Sequence, residues 1–494
     1  MTLRDAFALL PLLLTGAAAP TAAQSDTLRL SLEDAVRLAQ EQNPGFLAAR
    51  NDRSTANWEV REAVGSLFPS ATLGGSLSWQ GPGEQRFGSL TLAQDLPAYY
   101  LSAYNVGISY QLSASALLAP AAAHARREAV VARIDAARVE LMAAVTRAYL
   151  EVLRQAEGEI LAELQLGRAR FNLRLAEAQQ EVGAVTPLDV RQAEVQVGRA
   201  EVALLQAGNA LSTARLRLLQ QIGMDGDRPL ALTTTFDLKE PEWNGDDLLA
   251  TALKRNPTLL AGAANLDASR AQVRQARSAY LPSLVAQAGI GGFTRQASST
   301  DVLVTQAQMQ LANQAQQCAL LNQVYTRLVD PLPTSDCSAF TLTDDMRNRI
   351  VTENGAFPFD FTRRPTSASL SISLPIFQGL QRERQLEAAR VQRSDAELEI
   401  RERRLALTAD LTIALRTLVT AYQSAALEAR NSEVADDQLR LAGERYRLGA
   451  ISFVDLVDAE TVKAEADRAY VNAVYAYHDA LTQLETVVGT ELRD

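Results

Sequence analysis

Sliding the chain along itself by 213 positions places Asp34 on Asp247, Asn43 on Asn256, Pro44 on Pro257, Leu47 on Leu260, Arg61 on Arg274 and Pro69 on Pro282 without a gap. An offset of 266 then places Arg127 on Arg393, Ile134 on Ile400, Arg138 on Arg404, Gly183 on Gly449, Asp189 on Asp455, Glu194 on Glu460 and Gly223 on Gly489. The chain is a tandem duplication, and whatever fold it adopts is built twice. The first copy is expected over residues 24–223, a connection over 224–245 and the second copy over 246–494. The offsets differ by 53 residues, so the second copy holds that much extra chain between its front and back parts.

Each copy reads as helix, strand, strand, long helix, shorter helix. Ser31 with Asp34 marks a helix start, Asn43-Pro44 breaks that helix, and a second helix is expected to about Leu67, before Phe68-Pro69. From Ala71 to Trp79, Leu73, Leu77 and Trp79 alternate with Thr72, Gly74, Ser76 and Ser78. Tyr104, Val106, Ile108, Tyr110 and Leu112 alternate likewise with Asn105, Gly107, Ser109 and Gln111. A period of two means strands with one apolar and one polar face. The second copy repeats this from Leu284 to Ile290, and again where Ala368, Leu370, Ile372 and Leu374 alternate with Ser367, Ser369, Ser371 and Ser373. Four strands of about 10 residues suit a tilted crossing of an outer membrane, or a half-buried sheet in a soluble domain. Four cannot close a pore, whereas three chains would supply twelve strands and leave no exposed edge.

The helices after the strands are long. Between Ala116 and Val182 only Pro120 interrupts, and no proline follows Phe377. A helix of about 66 residues extends roughly 100 Å, too long for the inside of a compact domain. Spaced Leu and Val among Ala, Arg, Glu and Gln suit coiled-coil packing, as does an aromatic content of only 6%. Both long helices end in matching turns. One holds Gly183, Ala184, Val185, Thr186, Pro187 and Asp189, and the other Gly449, Ala450, Ile451, Ser452 and Asp455. Gly supplies the C-cap, Thr186 or Ser452 caps the next helix, and the Asp falls at N3 where the helix dipole favours a carboxylate. Asp458 follows Asp455 by three positions, which puts both on one helix face.

The 494 residues carry 48 Lys and Arg against 58 Asp and Glu, a net charge of −10 spread along the chain. That balance argues against a nucleic-acid partner, because phosphate recognition rests on clustered cations. His124 and His478 lie far apart with no Cys nearby, so no zinc spacing exists and each is expected on a helix surface. No phosphate loop, nucleophile elbow or other catalytic constellation is present, and Gly289-Ile290-Gly291-Gly292 lies within a strand pattern. Hence neither an enzyme nor a cofactor is expected. At the N-terminus, Arg4, the apolar stretch Ala6 to Leu14 and the small residues before Gln24 read as an export signal over residues 1–23. No later run of about 18 uninterrupted apolar residues predicts a membrane-spanning helix.

With these features in order, the sequence resembles the TolC family of outer-membrane efflux ducts over nearly its whole mature length. The resemblance rests on the Asn-Pro helix starts, Phe68-Pro69 and Leu281-Pro282 ahead of strands, Leu374-Pro375-Ile376-Phe377 after one, and the duplicated Gly turn. It implies an α+β membrane protein: a homotrimer whose four strands per chain form one twelve-stranded β-barrel in outer-membrane lipid, continued by a long periplasmic α-helical barrel. It further implies that the turns at Gly183–Thr186 and Gly449–Ser452 meet a periplasmic adaptor serving an inner-membrane transporter. Asp455 and Asp458 match the acidic constriction of the best-known member, with Asp189 a third candidate and Tyr446 retained. Where that member has a basic residue, this chain has Ile451. The insertion at about 294–365 is expected outside the cell, and its Cys318 and Cys337, being exported, are expected to be bonded.

An exit duct explains the signal, strands, helices and duplication together. A periplasmic coiled-coil adaptor or structural protein without a pore explains the helices and leaves the strands without a role. The substrate is not legible, because a wide tunnel selects weakly.

Overall fold

The structure, a computed structural model, describes residues 28–87, 90–226 and 230–493. The expected export signal lies outside the described residues. In chain order the elements are β1 (Leu28–Leu30), α1 (Leu32–Gln42), α2 (Pro44–Gly65), β2 (Ser70–Gln80), β3 (Gly83–Phe87), β4 (Leu90–Leu96), β5 (Tyr99–Ser113), α3 (Ala114–Glu181) and α4 (Pro187–Ile222). There follow β6 (Leu230–Leu232), α5 (Gly245–Arg255), α6 (Pro257–Ser278), β7 (Ser283–Ala297), α7 (Thr300–Thr326), α8 (Asp344–Asn354), β8 (Thr362–Arg363), β9 (Ser367–Ser373), α9 (Gln381–Arg447) and α10 (Phe453–Val488). The copies match in length: α1 and α5 have 11 residues, α2 and α6 22, α4 and α10 36, and α3 and α9 68 and 67.

The chain divides into two compact units. One comprises the described residues up to Asn57 with Ala125–Ala268 and Ser394 onward, and is helical apart from the parallel pair β1 and β6. Its sequence landmarks meet at two equivalent joints. Asn43 accepts from the Phe46 amide to start α2 and donates to Gln221 O at the end of α4, at 3.0 and 2.8 Å. Asn256 does the same with the Leu259 amide and Val487 O, both at 2.9 Å. The helix that each Asn touches ends in a left-handed glycine, Gly223 at φ +87° and Gly489 at φ +78°. A Cβ at Gly223 would run into the Gln42 backbone, and one at Gly489 would lie 2.9 Å from Arg255 O, so both the dihedral and the space require glycine.

Copy one packs Leu30, Ala35, Ile134, Val145, Tyr149, Leu218 and Ile222 into one core, and copy two packs Leu248, Leu411, Leu418, Tyr477, Leu484 and Val488 into another. Tyr149 is a hub: its hydroxyl donates to Leu30 O and accepts from the Thr233 and Thr234 amides. His478, expected on a surface, is only 2% exposed. The segment between the repeats folds over it, placing Phe236 5.2 Å from its ring, while the Tyr477 ring beside it on α10 lies 5.0 Å away. His124 is exposed. An 18-residue window of α9 reaches a mean hydropathy of 1.3, above what uninterrupted apolar runs suggested. The same helix packs Leu411, Ala414 and Leu418 in the core with α10, a coiled-coil seam.

The other unit, Trp58–His124 with Ser269–Arg393, holds an antiparallel sheet in the order β2-β5-β7-β9, to which β8 adds a short pairing on β7. Its register aligns the two faces read from the sequence. Ala71, Ile108, Ala288 and Ala368 cross the sheet in one row, while Thr72, Gly107, Gly289 and Ser367 cross it in the neighbouring row on the opposite face. The strands are longer than expected at one end, since β5 begins at Tyr99 and β7 runs on to Ala297, against which Tyr99 pairs. The link between β2 and β5 contains the two-stranded pair β3 and β4. At the sheet's other end, Arg382 donates to Pro375 O and Ile376 O, fixing the lead-in to α9.

The insertion is helical. Ser299 caps α7, and Asn354 at the end of α8 bonds both the amide and the carbonyl of Ala297, at 2.7 and 2.9 Å. Phe357 and Phe361 lie 5.8 and 4.9 Å from Tyr100 and Tyr104, covering that end of the apolar face. Cys318 in α7 and Cys337 in a short 3-10 turn are joined in a disulfide, with Cα atoms 5.7 Å apart. Closing 19 residues of chain contributes about 3 kcal/mol to local order by loop entropy.

Candidate gate, docking turns and two-faced sheet

The two hairpin turns are built alike. Gly183 and Gly449 take φ +75° and +68°, which lets the Ala184 and Ala450 amides reach back to Gln179 O and Arg445 O at 2.8 and 2.9 Å. Thr186 and Ser452 then start α4 and α10 with capping boxes. The Asp189 carboxylate accepts from the Thr186 amide and hydroxyl at 2.8 and 2.7 Å, and the Asp455 carboxylate from Ser452 at 2.9 and 2.7 Å. These bonds hold the Asp455 carboxyl below the usual range, chiefly through the Ser452 hydroxyl. Asp458 is exposed and makes no hydrogen bond or ion pair among the described residues.

Of the expected residues, the structure brings Tyr446, Ile451 and Asp189 together and leaves Asp455 and Asp458 apart from them. Ala176, Val190 and Ala193 from α3 and α4 share one apolar cluster with Tyr446, Phe453 and Leu456 from α9 and α10, and Ile451 packs against it. A charged side chain in place of Ile451 would lose that packing, which accounts for an apolar residue there. Tyr446 is 3% exposed, its ring 5.9 Å from Phe453, and its hydroxyl has no partner among the described residues. Burial raises the Tyr446 pKa, and the negative charge of Asp189 raises it further. Asp189 and Tyr446 therefore share one locality, while Asp455 and Asp458 lie on the solvated face of α10.

Two features escaped the sequence reading. Val182 and Leu188 flank one turn, Leu448 and Val454 flank the other at equivalent positions, and all four are at least 59% exposed. Their recurrence at the 266 offset was a usable signal. Above the turns, Lys463 is buried between its Asp467 and Asp436 partners at 2.8 and 3.4 Å and donates to Ser432 O. The corresponding contact in copy one joins Arg170 and Glu201 at 2.9 Å. Position 170 matches Asp436, so the cation has moved from the long helix to α10, where copy one has Val197.

The sheet offers a second arrangement. Leu73, Leu77, Ile108, Ile290, Leu370 and Ile372 stand exposed on its apolar face, Leu73 at 79%. The opposite face is concave, with Thr72, Ser109, Gln287, Ser367 and Ser369 lining the hollow. Among the described residues neither the outer side of β2 nor that of β9 has a partner strand. A sheet curled with its polar side inward, its apolar side out and both edges free is a segment of a barrel around water.

Comparison with known proteins agrees with this geometry. The outer membrane efflux protein family matches residues 35–224 and again 248–490, one match per repeat. The pyoverdine export outer membrane protein OpmQ of Pseudomonas aeruginosa is 34% identical over 173 residues, 34% of this chain and 35% of its own length. OpmQ of Pseudomonas putida is 26% identical over 330 residues, 66% of each chain. The chain thus spans between a third and two thirds of the curated relatives that it matches. The fold is that of the Campylobacter jejuni CmeC outer membrane channel, with a TM-score of 0.69 at 16% identity over 94% of this chain and 87% of that one. With both repeats matched and the two-faced sheet in place, the chain belongs to the outer membrane efflux protein family.

Proposed function

We propose that three copies of this chain close into a single twelve-stranded barrel and form the outer-membrane exit duct of a tripartite efflux pump or type I secretion system. The observation that carries this reading is the four-stranded sheet with two free edges, an exposed apolar face and a concave polar face. One chain cannot satisfy those edges in lipid; pairing β2 of each copy with β9 of the next satisfies them all. The helical hairpins would form the periplasmic tunnel, with Asp455, Asp458, Asp189 and Tyr446 at its entrance. The turns would meet a periplasmic adaptor bound to an inner-membrane transporter, and the insertion at about 294–365 would lie outside the cell. Similarity to the pyoverdine exporters supports the efflux arm of this reading. A periplasmic coiled coil without a pore leaves the exposed apolar face unexplained. Mass measurement of the detergent-solubilised protein is expected to give a trimer. A folded, membrane-embedded monomer or dimer would overturn the proposal.

A further inference from the structure

The polar face of the sheet is uncharged along most of its length. Ser, Thr, Gly, Asn and Gln dominate it on β2, β5, β7 and β9, and no acid occurs on it. The exception lies at the end nearest the insertion. Arg295 pairs with Leu101 on that face, two residues from the end of β7, and its guanidinium stacks 3.4 Å from the centre of the Tyr99 ring. Arg364 follows β8, bonds its amide to Gly291 O at 2.8 Å, and sets its guanidinium 5.0 Å over Phe293, which belongs to the same face. Both arginines are exposed, and neither has an ion-pair partner among the described residues.

We infer that Arg295 and Arg364 form an anion-binding ring at the exit of the barrel, matched to substrates carrying carboxylate or similar oxyanion groups. This rests on the trimeric duct proposed above, in which two residues per chain become six guanidinium groups around one opening. An arginine held over an aromatic ring by cation–π attraction spends none of its N–H groups on that contact and keeps its fork available to grip an oxyanion through two bonds. Distance supports a collective effect. Twelve strands about 4.8 Å apart and tilted by about 40° give a backbone radius of roughly 12 Å. Arginines reaching inward leave less than that, so the field of the ring spans the opening within a Debye length of about 8 Å at physiological salt. With no carboxylate on the same face of the four strands, that field is not offset locally.

The test is planar-bilayer recording from reconstituted trimers under a KCl gradient, with citrate added on the insertion side as the anionic probe. Replacing both residues, R295Q with R364Q, is expected to shift the reversal potential toward cation selectivity and to weaken citrate block by about tenfold or more. The R295K and R364K pair keeps the charge but not the fork, so selectivity is expected to stay while citrate block weakens. The single R295Q and R364Q variants provide the readout if the double variant does not assemble, each giving part of the shift. Conducting trimers whose reversal potential and citrate block are unchanged by neutralisation overturn the ring and leave the duct intact. Wild-type protein that forms no conducting trimer counts against the duct itself.

Discussion

Asp455 and Asp458 stand three residues apart on α10 and are engaged differently. Asp455 accepts the Ser452 amide and hydroxyl and closes its helix start, while Asp458 is open to solvent. Neutralising each alone therefore separates capping from a role in the entrance. Asp455→Asn gives up a charge-assisted acceptor at a helix N-terminus and is expected to lower the melting temperature of the trimer. Asp458→Asn is expected to leave melting unchanged and to reduce cation selectivity and block by multivalent cations in bilayer recordings. Unaltered selectivity in Asp458→Asn would remove it from the entrance. The caps were legible because a capping box is written within four residues. The closeness of Asp189 to Tyr446 was not, since the two are distant in sequence and their approach depends on packing of Ala176 and Val190 with Phe453.

At the scale of elements, duplication made the helices readable, and the joints explain why the same landmarks recur. Asn43 meets the end of the helix that Gly223 closes, and Asn256 the end that Gly489 closes, so each Asn and its Gly are two halves of one contact. The insertion has no second copy for comparison, and Val302 to Thr326 contains no charged residue to mark a solvent face, so α7 was not legible. The inter-repeat segment was equally opaque, and it buries His478. Neither ring nitrogen has a partner among the described residues, and burial, aided by Arg493, lowers its pKa to about 4 against the pull of Asp237. A neutral histidine thus favours the folded chain. The contribution is complete above the unfolded value near 6.5 and is lost as pH falls toward 4, where the folded protein takes up the proton. At about 1.4 kcal/mol per unit, the window is worth on the order of 3 kcal/mol per chain. Chemical unfolding measured from pH 7 to pH 4 is expected to show this loss, and His478→Phe, which keeps a flat ring between Phe236 and Tyr477, is expected to flatten it. An equal slope in both proteins would assign the acid sensitivity to other groups.

In the proposed trimer the turns gain a meaning that a single chain does not give them. Three chains would present six helical tips, each with a small residue at its apex, Ala184 or Ala450, and an exposed apolar pair beside it. Solvent alone does not favour four such apolar side chains at equivalent positions in two copies, and a partner that covers them would gain roughly 1.5 to 3 kcal/mol for each one fully buried. The Gly caps already account for the turn geometry, so the apolar pairs carry the docking argument independently of Gly183 and Gly449. Ala184→Trp and Ala450→Trp leave both caps intact and crowd the apex. They are expected to abolish adaptor crosslinking and efflux while trimer mass and bilayer conductance stay at wild-type values. Leu188→Ser and Val454→Ser should weaken crosslinking without abolishing it, because each removes one apolar contact and adds no bulk. Normal crosslinking and efflux in both Trp variants would overturn docking at the tips. Lost efflux together with lost trimer would instead mean that the tips hold the chains to one another.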